Sequence, residues 1–123
     1  MADCRLPTMP FELGGKTYIL RCNMNVLADV EAMHGGNLME ALSQPGKLRA
    51  SMEFLTAMLN DYADEMGWEE RYTPKSLGRL LPPTPKEMKA IQNSITDLVV
   101  KAVTGGAEEP DEEPEKNGMT TQS

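Results

Sequence analysis

The sequence predicts a mainly α-helical fold of α+β type: an N-terminal β-hairpin packed on a small bundle of about four to five helices, then a disordered acidic C-terminal tail. Three observations carry this expectation. A Gly14-Gly15 pair separates two short alternating runs, apolar residues recur at helical spacing through the middle of the chain, and two Thr-Pro dipeptides mark helix starts. The expected division is a loose N-terminus over residues 1–10, a folded body over 11–104 and the tail over 105–123.

"FELGGKTYIL" reads as a β-hairpin, because a two-residue primed turn needs φ > 0 at both central residues and glycine supplies it. That register sets Leu13 opposite Lys16 and Phe11 opposite Tyr18, leaving Phe11, Leu13, Tyr18 and Leu20 on one face. Two strands alone are marginal in water. The hairpin must therefore lie on the helices, lend its edge to another chain, for instance in a homo-oligomer, or do both.

"CNMNVLADVEAMHGG" follows as a short helix, with Asn25 as expected N-cap and Val26, Leu27, Val30, Met33 and His34 on its apolar side. Gly35-Gly36 supplies the left-handed ending. "NLMEALSQPG" reads as a brief helical turn stopped by Pro45-Gly46. The longest helix is expected over residues 47–66, where Leu48, Met52, Leu55, Leu59, Tyr62 and Met66 are spaced 4, 3, 4, 3, 4 on one stripe. Phe54 and Met58 fall about 100° away. Either the buried face is wide or this pair faces a partner, and the second reading is the expectation here.

Thr73-Pro74 gives an N-cap with proline at the first helical position, for a short helix ending at Pro82-Pro83. Thr84-Pro85 repeats the signal, and Glu87 adds an expected capping box with Thr84. The helix that follows places Met88, Ile91, Ile95, Leu98 and Ala102 at 3, 4, 3, 4 spacing, up to Gly105-Gly106. Beyond it, acids, prolines and polar residues without apolar periodicity cannot repay the entropy of ordering.

Charge narrows the function. The net charge is −7, and residues 104–123 contribute −5 of it through Glu108, Glu109, Asp111, Glu112, Glu113 and Glu115 against Lys116. The body, at −2, lacks the basic surface of a nucleic-acid binder, so no nucleic-acid partner is expected. No apolar stretch approaches the roughly 20 residues of a membrane span, and "MADCRLPTMP" has no apolar run of a signal peptide. Cys4 and Cys22 have no metal-type spacing and suit reduced thiols, Cys22 as a small core residue. A soluble intracellular protein is the expectation.

Recognisable catalytic chemistry is missing from the sequence. It holds no P-loop, no GxGxxG after a strand, no CxxC and no HExxH. His34 is the single histidine, and its place before Gly35 suits capping or packing at a helix C-terminus. The carboxylates Asp64-Glu65 and Glu69-Glu70 read as solvated charges flanking a loop. Neither an enzyme nor a cofactor is expected. Ten methionines are the unusual component, since flexible thioethers fill irregular gaps and make adaptable binding surfaces. Trp68 reads first as a plug over the core and second as a binding anchor. The candidate partner-binding residues are Phe54, Met58, Met66 and Trp68.

The order of elements resembles the tail assembly chaperones of long-tailed bacteriophages and prophages. The resemblance rests on a "GGK–Y–LR" strand (Gly14, Gly15, Lys16, Tyr18, Leu20, Arg21) and an "N-x-L-A-x-x-E" helix (Asn25, Leu27, Ala28, Glu31) ending in glycines. The Met-rich helix "LRASMEFLTAMLNDYA" and a "TPKSLGRLL" segment complete it, over about residues 11–103. It implies a non-enzymatic protein of the host cytoplasm that binds the apolar, helical tape measure protein during tail assembly and is missing from the mature virion. Many such chaperones also have a longer form made by −1 ribosomal frameshifting, so a frameshifted long form of this chain is a second implied partner. Glu115-Lys116-Asn117 can be encoded GAA AAA AAC, which contains the slippery heptamer A AAA AAC at Lys116 and Asn117. Two other readings compete: a structural head–tail joining or tail-completion protein, and a small acidic regulator binding a host protein.

Overall fold

The computed structural model describes residues 6–105, and the expectations for the acidic tail and for Lys116 and Asn117 lie outside them. Two strands, β1 (Met9–Leu13) and β2 (Lys16–Leu20), precede five helices: α1 (Met24–Met33), α2 (Leu38–Ser43), α3 (Leu48–Met66), α4 (Pro74–Leu80) and α5 (Pro85–Val103). The hairpin is antiparallel with Phe11 opposite Tyr18 and Leu13 opposite Lys16, as the turn chemistry requires. Gly14 and Gly15 have φ of 60° and 80°, the left-handed pair of a primed turn.

β1 starts at Met9, two residues before the expected body, because Met9 pairs with Leu20 and Pro10 with Ile19. Proline is tolerated there because β1 is an edge strand of a two-stranded sheet. The cap of α1 also differs from expectation. Asn23, not Asn25, takes the extended cap conformation, and its side chain accepts from the Val26 amide at 3.0 Å. Asn25 lies inside the first turn.

Thr84 accepts from the Glu87 amide at 3.2 Å. The reciprocal capping box forms one helix earlier, at α4, where Thr73 and Ser76 exchange side-chain bonds to each other's amides at 3.0 and 2.9 Å. Serine at the third helical position serves here in place of glutamate.

α3 is the axis of the fold, packed against β2, α1, α4 and α5. It is consequently buried on nearly every side: residues 53–59 are all buried in sequence, where a two-sided helix would alternate. Phe54 and Met58 are 0% and 1% exposed and belong to the core cluster with Tyr18, Leu20, Val26, Val30, Leu55 and Leu59. The expectation that this pair faces a partner is therefore wrong, and the wide buried face is the correct alternative. The helix closes on Gly67 (φ 76°), and Trp68 N–H reaches back to Ala63 O at 2.9 Å.

Polar groups on this buried axis are satisfied locally. Ser51 Oγ donates toward Pro45 O and Lys47 O at 2.8 and 2.9 Å, and Thr56 Oγ1 donates to Met52 O at 2.7 Å. Asn60 holds the loop after α3 from both sides, donating to Tyr72 O at 2.8 Å and accepting from Tyr72 N–H at 2.9 Å.

Candidate functional site

Four of the residues singled out in the sequence can be placed. Phe54 and Met58 are core, as above. Met66 is half-exposed at the end of α3. Trp68 is half-buried and stacks edge-on against Tyr18 and Tyr62, with ring centres 5.2 and 5.6 Å away. Lys16 Nζ lies 4.7 Å from the Trp68 ring centre, a cation–π contact that covers its outer face. Trp68 thus closes the end of the core between hairpin and α3. The four candidates do not converge on one surface.

Three of the acids flanking that loop are paired. Lys16 reaches Glu70 at 3.6 Å, Arg21 reaches Glu65 at 3.7 Å and Arg71 contacts Asp64. All are solvent-facing pairs of small energetic value. Cys22 is buried in the core, and burial pushes its thiol up to about 11, away from reactivity.

His34 closes α1 and bridges three helices. Its Nδ1 is 2.5 Å from Glu53 Oε1 on α3, and its Nε2 is 3.1 Å from Glu40 Oε1 on α2. Glu53 is only 2% exposed, so this carboxylate depends on His34, with the exposed Arg49 guanidinium 4.0 Å away. The Glu53 hydrogen bond is the main cause that raises the His34 pKa above the ordinary imidazole value; partial desolvation opposes it and Glu40 adds to it. The cleft beside them, about 410 Å³, is lined by Glu40, Gln44, Lys47, Arg49 and neighbouring apolar residues, with no serine, threonine or cysteine for the imidazole to activate. Its chemistry is that of a staple holding α1 and α2 on α3. Among the described residues no group of three or more His, Cys, Asp or Glu is arranged to hold a metal ion.

Apolar grooves remain open among the described residues, two of them between helices. One, of about 490 Å³, lies where α1 begins and α5 ends, lined by Leu6, Cys22, Met24, Leu27, Ala102 and Val103. Met24 at its edge is 79% exposed, and Val103 is half-exposed. The other, of about 160 Å³, lies between α3, α4 and α5, with Leu48, Met52, Leu81, Pro82, Pro83 and Met88 among its lining. The sequence contained a partial signal for the first: Val100 and Val103, both about half-exposed, continue the apolar residues at the end of α5 beyond Val99, which belongs to the core. No helix among the described residues is long and apolar enough to cross a membrane. No protein family, curated protein or solved structure matches the chain.

Proposed function

We propose that this chain is a non-enzymatic tail assembly chaperone of a long-tailed phage or prophage, which binds apolar helical segments of the tape measure protein and keeps them soluble. The observation that supports this reading best is the open groove at the α1–α5 end. An amphipathic helix laid in such a groove buries its apolar anchors against leucine, valine and methionine, and the thioether of Met24 adapts to anchors of different shape. The element order that resembles the tail chaperones supplies the partner's identity. On this reading the protein works in the host cytoplasm, leaves before the virion is complete, and shares its task with a frameshifted longer form.

The test is co-expression with a tape measure protein of a long-tailed phage or prophage. The chain should move a substantial fraction of the tape measure into the soluble phase. Met24→Asp together with Val103→Asp should abolish that effect while changing stability by about 0.5 kcal/mol or less per site, as is usual for exposed positions. Equal solubilisation by the double variant would defeat the assignment of the groove. Stoichiometric amounts of the chain in purified virions would replace the chaperone reading with that of a joining protein.

A further inference from the structure

α2 is the shortest of the helices, and it packs chiefly on α1 rather than on the central α3. Ala41 is its one buried residue, and Leu38 and Leu42 are half-buried against the core. Gly35 and Gly36 join it to α1 with φ of 67° and 85°. On its far side Ser51 Oγ anchors the chain through Pro45 O at 2.8 Å. The segment over residues 37–44 is therefore a flap with a glycine joint at one end and a fixed point at the other. Its hydrogen bonds through side chains stay within the segment, Asn37 Oδ1 accepting from Glu40 N–H and Ser43 Oγ donating to Glu40 O, with one exception among the described residues. That exception is Glu40 Oε1, 3.1 Å from His34 Nε2.

The other ring nitrogen is committed to α3. Nδ1 lies 2.5 Å from Glu53 Oε1, and the Glu53 carboxylate is buried, with the exposed Arg49 coming only to 4.0 Å. The charged groups around the ring are Glu53 and Arg49 from α3, Glu40 from α2 and Lys47 just before α3; α1 itself brings no charged residue to the cleft. An imidazolium donates from both nitrogens, whereas a neutral ring has one proton to give. A buried carboxylate without a donor carries its whole desolvation penalty, while the exposed Glu40 can turn to water. The remaining proton therefore stays on Nδ1. Nε2 then presents a lone pair to a carboxylate oxygen at 3.1 Å, two acceptors facing each other.

We propose that α2 is a pH-gated flap, latched by the Glu40–His34 contact while the ring is charged and released when the ring is neutral, with the Glu53–His34 contact holding α1 on α3 in both states. Release uncovers Leu38, Ala41 and Leu42, together with the cleft wall of Met33 and Ala50. The direction follows from the ring's surroundings. Its folded pKa is raised, chiefly by the Glu53 hydrogen bond, so the latch holds in mildly acidic buffer and opens as pH rises through that value. The flap stands on the two nitrogen contacts and the glycine joint and is independent of the tape measure reading.

The test is nuclear magnetic resonance on the full, isotope-labelled chain, whose single histidine gives unambiguous ring signals. As pH rises, Nε2 should lose its proton and Nδ1 should keep its own. Over the same titration the amide protection of Leu42 and Ser43, corrected for the intrinsic pH dependence of exchange, should fall about two- to fivefold, the scale of one exposed ion pair. Protection at Val30 and Leu55 should stay constant. Glu40→Gln can accept from the charged ring and donate to the neutral one, so it should keep the flap protected at the low-pH level throughout. Glu40→Ala should show the lower protection at every pH. The proposal is overturned if the wild-type flap keeps its protection across the titration, or if Glu40→Gln shows the same fall. An equal fall at Val30 and Leu55, which would mean general loosening, or a neutral ring protonated on Nε2 would overturn it as well.

Discussion

His34 shows how one side chain sets a pH dependence. Its imidazole faces Glu53 from α3 and Glu40 from α2, with Lys47 and Arg49 across the cleft. Because its folded pKa is raised above the unfolded value of about 6.5, its stabilisation is fully present below that value and is lost as pH rises through the folded pKa. Thermal melts of the wild type and His34→Gln should therefore differ most in mildly acidic buffer and converge toward alkaline pH. A difference that stays flat across this window would show that the ring acts by packing alone. Replacing the ring with alanine strands the buried Glu53 carboxylate and should cost about 2–3 kcal/mol in chemical denaturation at neutral pH. Asn60 supports a second prediction at this scale. Its amide serves the Tyr72 backbone as donor and acceptor at once, so Asn60→Asp turns the donor into an acceptor facing Tyr72 O. A loss of about 1–3 kcal/mol is expected, with faster amide exchange at Tyr72 than in the wild type.

Among the elements, α3 decides what could and could not be read from the chain. The hairpin register, both Thr-Pro starts and all five helices were legible, because turns and caps are local chemistry written in a few consecutive residues. The role of Phe54 and Met58 was not. A 4-3-4 stripe identifies one apolar face, yet a helix surrounded by four other elements needs several, and its second face consists of Phe54, Met58 and small residues such as Ala50 and Ala57 that carry little periodic signal. The grooves were largely illegible for a related reason, since each joins residues of distant segments and only the valines at the end of α5 hinted at the first. The N-cap misplaced by sequence reasoning, Asn23, lies two residues from the expected Asn25 and was selected by backbone geometry, and the capping box forms between Thr73 and Ser76 rather than between Thr84 and Glu87. A direct consequence follows for α3. Phe54→Ala should cost about 3–5 kcal/mol and Met58→Ala about 2–5 kcal/mol, as truncations in a packed core do. Denaturant midpoints within experimental error of the wild type would contradict the central position of this helix.

At the level of the whole molecule, the core and the charge occupy separate stretches of sequence. Among the described residues the last buried one is Val99, α5 ends at Val103 and Gly105 takes a left-handed φ of 90°, so the described core is built from residues up to α5. An extension joined after residue 115 would leave every core contact in place. That separation makes the Glu115-Lys116-Asn117 string a suitable place for two products to diverge: both would carry the same body and the same residues 108–115, and differ only beyond them. If codons 115–117 spell a slippery run and the −1 frame stays open, expression of the region with its downstream sequence should yield a minor, longer product sharing this N-terminus. Synonymous recoding of Lys116 to AAG and Asn117 to AAT should remove the longer product and leave the amount of the short one unchanged. Detection of the long form at undiminished level after recoding would place the divergence elsewhere, and a −1 frame that closes within a few codons would end the two-product proposal at this position.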